Sequence, residues 1–176
     1  MPEVSTDATL IIATSWQALS RAETGDQRAS TCNCTVIIVF AAFFIEANLN
    51  HFIEKAAAKE GVTPPPGEHA GLQKKLAWVC NSFVADEPVT DTNQLRLVLE
   101  ETFPGFAAIR EFRNNISHGI IDRSIATLAK AKELRSAAKA IVDRLLSIAR
   151  ESKFDIQRGV EYEMAISSAD ASGVAA

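Results

Sequence analysis

At 176 residues, with 47% hydrophobic and 23% charged content, the chain is one domain's worth of sequence with enough apolar material for a real core, which excludes an intrinsically disordered protein. A chain of this size buries roughly 70% of the surface that its unfolded form exposes. The formal net charge of -4 argues against a general nucleic-acid binder.

Helical periodicity dominates and no strand-like alternation persists, so the expected fold class is all-α, a helical bundle of about five helices. A first amphipathic helix is expected from about Asp7 to Glu23, with Leu10, Ile11, Trp16 and Leu19 apolar, stopping near Gly25. Glu3 and Asp7, with no basic cluster beside them, do not look like a secretory signal, so a cytoplasmic location is the expectation.

The second helix should run from about Thr31 to Lys59 and stop at Gly61. At about 28 residues and ~42 Å it would be the spine of the fold. Val36, Ile37, Ile38, Val39, Phe40, Phe43 and Phe44 occupy every face of its first half, more apolar surface than a chain of this size can easily enclose. Part of that surface is therefore expected to meet a second subunit. The uncharged run Thr35 to Ile45 ends at Glu46, short of the ~20 residues that cross a bilayer, and reads as a buried helix rather than a membrane anchor.

Three consecutive prolines between Thr63 and Gly67 separate this helix from a third, about Glu68 to Phe83. Leu95 to Thr102 follows, broken by Pro104 and Gly105. A fresh helix begins near Phe106 and is ended by Gly119, and Ile125 to Arg150 forms the last long helix. Residues 1 to 155 then form a single domain and 156 to 176 a flexible tail. Cys32, Cys34 and Cys80 are expected as free thiols; no fourth ligand stands at zinc spacing, so neither a metal nor a cofactor is expected.

Charge is uneven. Residues 108 to 150 contain nine Lys or Arg and four Asp or Glu, a local +5 that leaves -9 on the remainder. Within this segment, Ile109, Phe112, Ile116 and Ile120 make the apolar stripe of one helix. Beside it come Arg113, Ser117, Arg110, Asn114 and His118, a polar arc of about 140° without an acidic residue. An arginine can hold a phosphate through two parallel hydrogen bonds, and a histidine can exchange a proton near neutral pH, so Arg113 and His118 point to chemistry on a phosphodiester.

Five residues of helix advance about 140° past a full turn, so Arg113 and His118 sit at opposite edges of the arc. Convergence requires Arg113 to reach over the turn, the helix to unwind at Gly119, or a second subunit to bring its own pair opposite. The bland alternative makes Arg113 a surface partner of Glu111 or Asp122 and His118 a helix cap.

The segment Arg113-Asn114-Asn115-Ile116-Ser117-His118 resembles the Arg-x4-6-His signature of the HEPN superfamily (higher eukaryotes and prokaryotes nucleotide-binding domain), in which a polar residue commonly follows the arginine. Glu46 and Asn50 are similar to a Glu and a polar residue one turn later that many members carry on an earlier helix. The resemblance implies a homodimer whose two motifs line a shared cleft, and a metal-independent endoribonuclease in which an RNA 2′-hydroxyl attacks the adjacent phosphate to leave a 2′,3′-cyclic phosphate. His118 would be general acid or base, Arg113 would stabilise charge on the phosphoryl oxygens and Asn114 would orient or assist. Arg110, Ser117, Glu46 and Asn50 are the candidate substrate-binding residues, and RNA or a nucleotide the partner. The resemblance also suggests a toxin or defence setting with an antitoxin protein. The runner-up is a non-catalytic dimeric module that binds a nucleotide or protein partner.

Overall fold

The computed structural model of the protein describes residues 17–25, 27–59, 66–67, 70–117 and 126–154. These form an all-α bundle, with no strand among the described residues. The helices are α1 (residues 17–24), α2 (Gln27–Ala57), α3 (Leu72–Phe83), α4 (Thr92–Thr102), α5 (Phe106–Ser117) and α6 (Leu128–Glu151). The expected start of α1 and the expected tail lie outside the described residues.

Four helix starts differ from the periodicity reading, three of them for identifiable local reasons. The α4 helix begins at Thr92 rather than Leu95, because the Asp91 carboxylate caps it, accepting from the Asn93 and Gln94 amides at 3.0 and 2.9 Å. Thr127 caps α6 in the same way, its hydroxyl accepting from Lys130 N at 3.2 Å, so that helix starts at Leu128 rather than Ile125. Gly71 has an extended backbone and α3 starts only at Leu72, four residues after Glu68. The α2 helix instead starts earlier, at Gln27, and is 31 residues long, or ~46 Å.

By length and composition alone, Ser30–Ala57 is sufficient to cross a membrane, since Ala47, Leu49, Phe52 and Ile53 carry the apolar character on past Glu46. In the bundle this helix is the central one, packed most extensively on α6 and also on α5 and α3. Cys34, Ile37, Ile38, Ile45, Leu49 and Phe52 of α2 are almost completely buried against Leu134, Ala138, Ile141, Leu145 and Ile148 of α6 together with the rest of the core. Its other edge stays open. Val36, Val39 and Phe40 are half-buried, and Phe43 is 43% exposed, with its ring edge-on to Phe40.

Two contacts fix the ends of the bundle. Phe52, Phe83 and Phe154 stack edge-to-face or tilted with centroids 5.0–5.5 Å apart, and Trp78 joins Phe83 at 5.5 Å, tying the C-terminal ends of α2, α3 and α6 together. At the other contact, Gly105 between α4 and α5 has φ +82°, and a Cβ there would lie 2.9 Å from Ala137 Cβ on α6. Glycine is required at this corner both for its backbone angle and for the close approach of α6.

Candidate functional site

The α5 helix buries Phe106, Ile109 and Phe112 and leaves Ile116 partly buried, so the apolar stripe turns toward the core as its spacing predicts. Arg110 and Arg113 are half-buried at the edge of that stripe, and Asn114 is exposed beyond them. Ser117 is the last residue of the helix; its side chain, and the whole of His118, lie outside the described residues.

Arg113 meets α2. Its guanidinium Nη2 lies 3.8 Å from Oε2 of Glu46, with the two side chains 38% and 28% exposed. A pair this open contributes little to stability, at most about 1 kcal/mol. Its consequence is orientation: the carboxylate draws the guanidinium along the α2 surface. Glu46 follows the buried Phe44 and Ile45 of α2, and pairing with Arg113 relieves the cost of its position there.

Asn50, one turn after Glu46, is engaged by a different helix. Nζ of Lys75 on α3 donates to its Oδ1 at 2.6 Å. Two residues before Lys75, Oε1 of Gln73 accepts from Nη1 of Arg110, which returns the chain of contacts to α5. The links Arg113–Glu46, Asn50–Lys75 and Gln73–Arg110 join α5 to α2, α2 to α3 and α3 to α5, a polar seam between the three helices with Gln73 and Lys75 on different sides of α3. The charged groups in these three contacts are Arg110, Arg113, Lys75 and Glu46.

No protein family, curated protein or solved structure matches the chain.

The seam brings together four of the expected residues, Glu46, Asn50, Arg110 and Arg113, from helices far apart in sequence. Arg110, expected on an open cationic face, is instead held by Gln73, and Asn50 by Lys75. Asn114 makes none of the seam's contacts. Gln73 and Lys75 carry no motif. A signal for Lys75 was nevertheless present, because a lysine falls between Leu72, Leu76 and Val79 on what is otherwise the core stripe of α3.

His51, beside Asn50, belongs to a different environment. Its Nδ1 lies 3.9 Å from Oε2 of Glu54, too long for a hydrogen bond, and is buried without a hydrogen-bond partner among the described residues. Burial pushes the His51 pKa down, Lys55 adds to that shift, and Glu54 opposes it. The imidazole is therefore held toward its neutral form. Trp78, one turn after Lys75, packs against the core and has a buried indole N–H without an acceptor among the described residues, so it is a packing residue rather than a stacking platform.

Proposed function

We propose that this chain is a HEPN-like endoribonuclease that cleaves RNA by transesterification in the cytoplasm, acting as a homodimer. The observation that carries the reading is the Glu46–Arg113 pair: a carboxylate from α2 orients the motif arginine on α5, as a phosphate-binding guanidinium requires. In this reaction the ribose 2′-oxygen forms a bond to the adjacent phosphorus and the bond from phosphorus to the 5′-oxygen breaks. The 2′-hydroxyl proton leaves to a base and the departing 5′-oxygen receives a proton; His118 of one protomer serves as the base or as the acid, and the other transfer falls to the second copy of the homodimer or to solvent. Arg113 offsets the negative charge that builds on the non-bridging oxygens, and its hold on Glu46 limits the reorganisation needed at that moment. Asn114 assists at the strand.

The open apolar edge of α2 supports the dimer. Phe43 precedes Glu46 by one turn, so a second copy seated on Phe40 and Phe43 brings its own α5 toward the same seam. Incubation of the purified protein with RNA in the presence of a chelator tests the reading. Cleavage to 2′,3′-cyclic phosphate ends, lost in Arg113→Ala and in His118→Ala, is the expected result; undiminished cleavage by either variant rules the mechanism out. A non-catalytic nucleotide-binding module is the second reading, favoured by the engagement of Arg110 and Asn50 with protein partners. It predicts binding with no product in the same assay.

A further inference from the structure

Lys75 is 4% exposed and lies with Leu72, Leu76, Val79 and Cys80 on the core side of α3. Its ammonium nevertheless reaches a surface residue: Nζ donates at 2.6 Å to Oδ1 of Asn50, which is exposed on α2. That bond decides which way the Asn50 amide faces. The two polar atoms of a carboxamide differ in kind, one accepting and one donating, and an ammonium can only donate. Lys75 therefore takes the oxygen, and the NH2 group stands at the opposite corner of the amide plane, away from the buried lysine. A neutral amide or hydroxyl in place of the ammonium could accept from Nδ2 as readily as donate to Oδ1, whereas lysine permits one orientation. A charged donor on the oxygen also polarises the amide and strengthens the donors on Nδ2.

Asn50 follows Glu46 by four residues of α2, so the two share one face of that helix with Cβ atoms roughly 5–6 Å apart. On the same face Glu46 meets the guanidinium of Arg113 at 3.8 Å. We infer that Lys75 is a positioning residue for this site: it turns Asn50 so that Nδ2 donates to a phosphate oxygen of the RNA strand that Arg113 engages. The inference rests on the endoribonuclease reading for the identity of the ligand, and it adds the ligand-facing atom of Asn50 and the residue that sets it. Lys75 acts through Asn50 and not by touching the strand.

The test measures binding of an oligonucleotide with 2′-deoxy sugars, which lacks the attacking hydroxyl. Asn50→Ala is expected to weaken binding about tenfold, and Lys75→Met, which keeps the buried stem and removes the donor, about fivefold. In the Asn50→Ala background, Lys75→Met should cost no more than about a further 1.5-fold, because its effect runs through the amide. The slope of log affinity against log salt should stay within about 0.2 of the native value in both single variants, since neither removes a cation from a phosphate. Lys75→Arg, which also only donates, should bind within about threefold of the native protein. Asn50→Asp keeps an acceptor for Lys75 and loses the outward donor, so it should melt no lower than the native protein and bind no better than Asn50→Ala. In cleavage assays, Lys75→Met should raise KM more than it lowers kcat.

A lowered melting temperature of Lys75→Met with unchanged affinity would make the lysine structural only and overturn the inference. Losses that add in the double variant, or a salt slope lower by about 0.7 in Lys75→Met, would make Lys75 a direct ligand and overturn it too. Binding by Asn50→Ala or Asn50→Asp within about twofold of the native protein overturns it without any Lys75 variant having to fold. If Arg113→Ala and His118→Ala abolish cleavage while Asn50→Ala binds normally, the nuclease reading stands and the role of Lys75 falls. If the native protein cleaves nothing, yet binds the oligonucleotide with the coupled losses above, the nuclease reading falls and the role of Lys75 stands.

Discussion

Glu46 on α2 and Arg113 on α5 lie 3.8 Å apart and join two helices whose pairing residues are separated by more than a third of the chain. The pair is half-open to solvent, so its energetic weight is small, and its effect is on where the guanidinium points. Glu46→Gln is therefore expected to cost no more than about 1 kcal/mol of stability. In the ribonuclease reading it lowers kcat/KM at least about tenfold, because the arginine loses its anchor. Urea denaturation and initial cleavage rates check the two numbers separately. A loss of stability equal to the loss of activity would make Glu46 a structural residue only.

The corner at Gly105 sets where α5 begins, and with it the position of Arg110 and Arg113. Gly105→Ala must adopt φ +82° with a side chain while displacing Ala137, 2.9 Å from the new Cβ. The expected cost is about 2–4 kcal/mol from the backbone angle and the overpacking together. Chemical denaturation of the variant measures it. Gly105→Ala combined with Ala137→Gly should recover part of the loss, since only the steric component is relieved.

The three thiols differ sharply in access. Cys32 is exposed, whereas Cys34 and Cys80 are buried. Burial raises the pKa of both buried thiols, against a hydrogen bond to Ser30 for Cys34, and to Thr102 with the charge of Arg144 for Cys80. A maleimide reagent at neutral pH should thus label Cys32 within minutes and the other two only on unfolding. Mass spectrometry of the labelled protein would read one adduct per chain, and two or more fast adducts would contradict the packing of α2 or α3.

His51 makes stability depend on pH with a definite sign. Its folded pKa lies below the ordinary value of about 6.5, so between those two values the unfolded chain binds more protons than the folded one. Its contribution is complete above about pH 6.5 and is lost as the pH falls toward the folded pKa. Melting temperatures from pH 7.5 to 5 should therefore fall more steeply for the native protein than for His51→Gln. Parallel curves would place the imidazole in solvent.

The residues that point to a site and those that complete it differ in kind. Arg113 was legible because arginine, asparagine and histidine stand close in sequence on one helix, a local pattern that helical geometry converts into a surface. Glu46 drew notice because a carboxylate after an apolar run needs a partner, although nothing local says which. Lys75 and Gln73 belong to no motif. Their part depends on α3 docking against α2 and coming within reach of Arg110, which no spacing within α3 encodes.

The sequence by itself determined the all-α class and the approximate extent of the helices. These follow from periodicity, caps and breakers that act over a few residues; the early start of α4 at Thr92 comes from the Asp91 cap, a signal that the apolar pattern alone passes over. Tertiary structure alone decided that Arg113 takes Glu46 and that Lys75 is buried against Asn50. The physical reason is range. Helix formation is settled by neighbours three and four residues apart, whereas the seam exists only where α2, α3 and α5 pack, and that packing is set by the whole core around α2.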